Sequence, residues 1–377
     1  MLATLALDNA GTLDVQEVET PTPGPGEALV RVRAAGLAPG AFNLLRMGNV
    51  PILPTILGHE IAGEVHSVGD PDDADLVGAR VRVHPLLSCG TCDYCTSDRE
   101  MMCAENSMIG HAVFGQKAMR RYSRYHNGGL AEFALVPVQN LDVLPESVDF
   151  ELGAKAHDFG NAIRALKLAE LERPSTLIVT AATGAMGVAT IALAAHFGVE
   201  KVVAVARDAD RLRAVAAIAP GFVTTVAIGE EDTPQSVAGR IRALAPEGAH
   251  AAIDYFPHGN GTSLIFGGLR TGGRIVHMGV NPEPLIIPPA AFSVNCISFV
   301  GTRNGTRRDA HDALRLLAAD PDRYRALITH RFTLDDADRA RDLFQSRSEP
   351  MWMAVVAPTS ARTSARTPAM TAQNHQE

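Results

Sequence analysis

The chain has 377 residues, 46% of them hydrophobic and 20% charged, a balance that excludes a largely disordered chain and predicts two domains or one large one. Its formal net charge is −8 and its aromatic content 5%, opposite to the basic, aromatic-bearing surfaces that hold nucleic acid or an anionic membrane. Five cysteines are too few for a disulfide scaffold.

The N-terminus, MLATLALDNAGTLDVQ, has no basic start and no cleavable apolar core, so no signal peptide is expected and the cytoplasm is the expected compartment. Residues 1 to about 150 read as strands and turns. ALVRVRAAGL alternates like a half-buried strand after the turn cluster PTPGPGE, and EIAGEVHSVG and ARVRVHP are further short strands. Four cysteines, Cys89, Cys92, Cys95 and Cys103, form C-x2-C-x2-C-x7-C. That spacing lets a tight loop wrap one tetrahedral zinc, and four thiolates leave no open position, so the zinc is expected to be structural. Residues 112–129 carry Lys117, Arg120, Arg121 and Arg124 and read as a solvated loop or helix turn, or else as a contact for an anionic substrate or a subunit.

From about residue 151 strands and helices alternate, which predicts parallel strands with crossover helices. TLIVTA is a strand, GVATIALAAHFG a helix ending at Gly, KVVAVAR a strand and DADRLRAVAAIA a helix. AHAAIDYF, GRIVHMGV and SVNCISFVG follow as strands, the last placing Cys296 in the core. Leu177 to Ala195 has no charge and is long enough to span a bilayer, but its interior reads better as strand, Gly turn and helix. RRDAHDALRLLAA reads as helix and MWMAVVA as a final strand. Residues 358–377 repeat TSAR with almost no large apolar residue and are expected to be a disordered tail.

Between TLIVTA and the next helix lies Ala182-Thr183-Gly184-Ala185-Met186-Gly187. It fits A-x-G-x-x-G, in which the second small position admits a pyrophosphate and the third lets helix and strand pack closely. The following strand ends in Ala206 and Arg207 where an NAD site usually has an acid. A cation beside a small residue suits a 2′-phosphate, which favours NADP(H). Asp208, one place later, leaves NAD(H) open. Arg211 and Val280 complete the expected cofactor contacts.

The cysteine motif, the segment Gly58-His59-Glu60-Ile61-Ala62-Gly63-Glu64-Val65 with Gly69, and the dinucleotide turn downstream together resemble the medium-chain dehydrogenase/reductase superfamily, zinc alcohol dehydrogenase-like, over roughly residues 1–357. The resemblance implies an α/β protein. A GroES-like β-rich catalytic domain would comprise 1–151 and 302–357, with a zinc lobe at 86–105. A Rossmann doubly wound parallel sheet would occupy 152–301. It also implies a homodimer or homotetramer and hydride transfer on a small organic alcohol, carbonyl or enone, in the cleft between the domains.

The family's catalytic zinc is normally held by a Cys, the His of G-H-E and a third Cys or Glu. Here the expected Cys is Ala38, the relay hydroxyl is Gly40 and its supporting Asp is Ala41, while His59 is kept and His157 stands at the third-ligand position, followed by Asp158. Two readings follow. Either His59, His157 and one of Glu60 or Asp158 hold an atypical second zinc, or that zinc is absent as in the enone and quinone reductases of the superfamily. In the second case Asn43 faces the cleft and His157 or Asp158 moves the proton. A satisfied structural role is the alternative for both histidines, and His66, His84 and His277 read as scaffold. A cofactor-binding sensor without turnover, or a non-redox enzyme on the same fold, is the competing class. A nucleic-acid binder using residues 117–124 is weaker because of the charge.

Overall fold

The computed structural model describes residues 1–359; the tail reading falls almost wholly outside them. Two sheets organise the chain. The first has seven strands in the spatial order Leu141–Val143, Arg80–Val83, Glu60–Val68, Glu27–Leu37, Met353–Ala357 and Ile328–Thr333, with Phe133–Pro137 also pairing with Glu27–Leu37. The end of the chain thus returns to the sheet built by its beginning, and only its last two strands run parallel.

The second sheet has six parallel strands in the order Val223–Ala227, Val199–Ala206, Ser175–Thr180, Ala249–Asp254, Leu269–His277 and Ser298–Gly301. Numbered along the chain this is 3-2-1-4-5-6, the doubly wound order whose switch point lies beside the first strand. Alternate residues of the central strands explain why these segments read as continuous apolar runs. Leu177, Val179, Val202 and Ala204 pack on one face, and Ile178, Val203, Val205 and Ala252 on the other.

Between the sheets runs the helix Phe150–Leu168. It starts where the Asp149 side chain accepts the Leu152 N–H at 2.9 Å. Fourteen of its 19 residues are buried, so it is covered nearly all round, against the first sheet and the helices Ala185–Leu193 and Arg307–Ala319. This burial is what makes its Lys155, His157, Asp158 and Asn161 chemically informative.

Two sequence expectations change. The strand Glu27–Leu37 is buried on both faces except at Arg31 and Arg33, because neighbouring strands and the long helix cover it. SVNCISFVG is only half strand: Pro289–Asn295 is a helix, and Cys296 is its left-handed cap (φ 51°), exposed rather than core. Its N–H serves the carbonyls that close the helix, a local demand that overrides the apolar pattern. Residues 119–125 form a short helix whose arginines are largely paired, Arg124 with Glu27 at 2.7 Å and Arg121 with Glu105 at 2.9 Å. No helix among the described residues is long and apolar enough to cross a membrane.

Candidate functional site

The turn at 181–187 joins the first parallel strand to the helix Ala185–Leu193. Ala181 takes the left-handed conformation at φ 44°, and the Gly184 N–H bonds Ala181 O at 3.0 Å. The two glycines are needed for different reasons. A Cβ on Gly187 would lie 2.6 Å from Ala182 Cα and 2.8 Å from Ala181 O, so the helix packs on the strand only through glycine. A Cβ on Gly184 would meet only Ala181 O at 3.5 Å; what it would fill is open space over the helix N-terminus. Thr183 and Met186 are half-buried around that opening. This cradle suits a pyrophosphate, with N–H donors and the positive helix end directed at it.

Arg207 follows the second parallel strand and is exposed, its nearest partner being His258 at 3.5 Å. Arg211 pairs with Asp208 at 3.4 Å and donates to the carbonyls of Arg347 and Glu349. Arg347 is pushed below its ordinary value by burial first and then by the charges of Arg207 and Arg211. Cations thus crowd the end of this strand. Asp208 caps the next helix by accepting the N–H groups of Asp210 and Arg211. Val280 is exposed, at 52%.

The second centre is buried. His59 opens the strand Glu60–Val68, His157 sits on the long helix, and His111 comes from the loop beyond the cysteines. His59 stacks on His111 with centroids 4.3 Å apart and meets His157 edge-on at 4.9 Å. Burial, then the charges of the other two histidines, holds His59 well below the usual imidazole range. Burial does the same to His157, and lowers His111 to about 4. All three rings are therefore neutral near pH 7. Asn161 Nδ2 lies 3.1 Å from His157 Nε2, and its Oδ1 accepts the Gly305 N–H.

Beneath the rings, Lys155 Nζ lies 2.6 Å from both Glu60 Oε2 and Asp158 Oδ2, and the Lys155 side chain is 1% exposed. Glu60 is pushed up to about 8 by burial first and the Asp158 charge second, with Lys155 opposing. Lys155 is raised because the two carboxylates outweigh its burial. Gly36 makes the arrangement possible: a Cβ there would fall 1.6 Å from Glu60 Oε2. His59 Nε2 is 3.8 Å from Glu60 Oε1. Asn43 is on the short helix Pro39–Arg46, its Oδ1 accepting from Arg46 at 2.5 Å.

The four cysteines do converge. Their sulfurs lie within 4.8 Å of one another, with Cys89–Cys95 at 3.8 Å and Cys92–Cys95 at 3.5 Å. A tetrahedral zinc with Zn–S near 2.3 Å sets its sulfurs about 3.8 Å apart. Cys89 is lowered to about 6, chiefly by the Thr91 N–H, while burial lifts Cys95 to about 12. Loading an ion therefore means displacing thiol protons.

The usual catalytic zinc fits less well. Its thiolate position is Ala38, and both nearby carboxylates are bound to Lys155. Two of the imidazoles lie parallel rather than aiming lone pairs at one point, and among the described residues only the cysteines form a convergent group of three or more donors.

Sequence reasoning missed His111 and Lys155. No ligand spacing marks His111, which folding alone brings to His59. Lys155 did carry a signal, a cation inside the apolar stretch LGAKAHDFG, three residues before Asp158.

Residues 24–146 match the family described as alcohol dehydrogenase GroES-like domain, and residues 185–319 that described as zinc-binding dehydrogenase. Among curated relatives, an L-idonate 5-dehydrogenase of Vitis vinifera is 26% identical over 87% of this chain and 86% of its own length. An acryloyl-coenzyme A reductase of Metallosphaera sedula is 27% identical over 89% and 93%. Among solved structures, the alcohol dehydrogenase TADH from Thermus sp. ATN1 superposes with a TM-score of 0.80 at 27% identity, covering 95% of this chain and 99% of that one.

Proposed function

Since the chain belongs to the zinc alcohol dehydrogenase-like medium-chain dehydrogenase/reductase superfamily, we propose that it is an NADP(H)-preferring oxidoreductase acting on a small organic carbonyl, alcohol or enone without the usual catalytic zinc. The carrying observation is the glycine cradle at the switch point of a 3-2-1-4-5-6 parallel sheet. When bound, the nicotinamide cofactor supplies the hydride chemistry. Thr183 to Gly187 receive its pyrophosphate, and Arg207 and Arg211 take the 2′-phosphate.

In this reading His59, His111 and His157 work as neutral imidazoles. A neutral ring N–H can donate a hydrogen bond to an oxygen that gains negative charge, in a pocket where that bond is strong. The Glu60–Lys155–Asp158 group holds the proton. Glu60, lifted to about 8, keeps it near neutral pH, and its Oε1 is 3.8 Å from His59 Nε2. The acryloyl-coenzyme A reductase among the relatives supports including enones, where hydride adds at the β-carbon. A cytoplasmic homodimer or homotetramer belongs to the same reading and is checked by light scattering and fractionation.

The test is NADPH oxidation with enones, quinones and aldehydes, and NADP⁺ reduction with alcohols. Tight cofactor binding with no turnover of any of them would favour a sensor instead. For cofactor choice, Arg207→Glu should raise the KM for NADPH at least tenfold, because a like charge then meets the 2′-phosphate, and leave NADH nearly unchanged. Equal effects on both would remove Arg207 from the 2′-phosphate site.

A second reading, the atypical zinc on His59 and His157, is favoured by one observation: Nδ1 of His59 and Nδ1 of His111 are buried without a partner, and such atoms call for an explanation. Metal analysis separates the two. We expect about one zinc per chain, unchanged by His59→Ala and lost on replacing Cys92 and Cys95 with serine. About two per chain, falling to one in His59→Ala, would establish the atypical site instead.

A further inference from the structure

A cavity of about 730 Å³ opens between the cysteine lobe at 97–99, the end of the long helix and the start of the helix Arg307–Ala319. That volume is in the range of small-molecule sites. Its wall carries five fixed cations against three carboxylates, and the carboxylates are spent. Asp98 pairs with Arg308 at 3.2 Å. Asp309 and Asp312 each lie 2.6 Å from Lys167 Nζ. Asp309 also accepts from the Thr306 N–H and hydroxyl, and Asp312 takes Arg315.

Two guanidinium groups are left over. Arg164 has a buried Nε with no partner, although buried polar groups are ordinarily bonded. Arg99 donates to Ser97 Oγ at 3.0 Å and lies over the Tyr94 ring at 5.3 Å, which pins it without neutralising it. The planar fork of arginine matches phosphate oxygens in pairs, and the start of the helix at Thr306, on the same wall, adds a positive dipole end.

We propose that this cavity binds a small phosphate-class polyanion, held by Arg164 and Arg99. Arg164 stands two helical turns, about 10 Å, beyond His157 on the same helix. The anion is therefore either the phosphate arm of the reacting substrate or a separate phosphorylated ligand. In the first case the proposal rests on the oxidoreductase reading above; in the second it stands without it.

The experiment is calorimetric titration of the full chain with inorganic pyrophosphate at saturating NADPH, which blocks the cofactor cradle. One saturable site is expected, weakened at least tenfold by Arg164→Gln and by Arg99→Gln, and unchanged by Arg120→Gln outside the cavity. Arg99 is exposed, so its variant decides the matter if Arg164→Gln does not fold. No saturable binding, or binding indifferent to both variants, overturns the proposal. Failure of NADPH to bind would instead count against the oxidoreductase reading, because the arginine-dependent heat is read separately. Once a reducible substrate is in hand, pyrophosphate raising its KM at constant kcat identifies the anion as the substrate's own arm, and an unchanged KM identifies a separate ligand.

Discussion

Replacing Lys155 with methionine is expected to destabilise the fold by about 3–5 kcal/mol, the cost of stranding a buried charge when its partner is removed. Methionine keeps the length of the side chain, so the effect isolates the ammonium from the packing. Lys155 Nζ is 2.6 Å from both Glu60 and Asp158, and the Lys155 and Glu60 side chains are 1% and 0% exposed. Without the ammonium, two carboxylates face each other in a medium that favours neither ionised form. Water has little access to relieve them, since the Glu60 and Asp158 side chains are 0% and 7% exposed. Pairing Lys155→Met with both Glu60→Gln and Asp158→Asn should recover most of the loss, because no carboxyl group is then left without its cation. Denaturant unfolding of the two variants is the measurement. An unchanged midpoint in Lys155→Met would mean that the triad is hydrated.

Gly187→Val is expected to cost both stability and cofactor affinity, and Gly184→Ala affinity alone. At Gly187 the new side chain meets the backbone of Ala181 and Ala182 at 2.6–2.8 Å. Backbone does not give way as the end of a flexible side chain does, so the helix Ala185–Leu193 must lift from its strand. Overpacking of this kind costs about 1–3 kcal/mol, and a displaced helix end no longer directs its N–H groups into the cradle. At Gly184 the nearest atom is at 3.5 Å, an ordinary contact, so the free protein should tolerate alanine. The methyl would instead stand where the pyrophosphate approaches. NADPH affinity, followed by fluorescence titration, should fall at least tenfold in both, while the melting temperature should fall only in Gly187→Val. A melting temperature lowered equally by Gly184→Ala would show that its glycine serves the turn rather than the ligand.

What the chain spells out by itself is whatever a short window can encode. The cysteine spacing needs only 15 residues to gather its four sulfurs. The strand, glycine turn and helix at 175–193 are contiguous, and the alternation of strands and helices behind them leaves few topologies open. These local instructions were enough for the two-part fold and for the family. They failed at Cys296, where the demand of a helix cap outweighed an apolar run, and they said nothing of Asn43's bond to Arg46.

The buried cluster of histidines around Lys155 is a tertiary product. Glu60 and Lys155 are 95 positions apart, and His111 reaches His59 only because a loop folds back onto the strand that His59 opens. Charge states follow from those meetings. The same imidazole that would titrate near 6.5 in water is held neutral once burial removes its solvent. Glu60, which in sequence stands beside His59 and offers itself as a metal ligand, becomes instead the partner of Lys155. Arg164 likewise reads as one more helical cation until the fold places every neighbouring carboxylate on another base. Residue type and spacing determined what could be built; desolvation and long-range pairing decided which groups were left free to act.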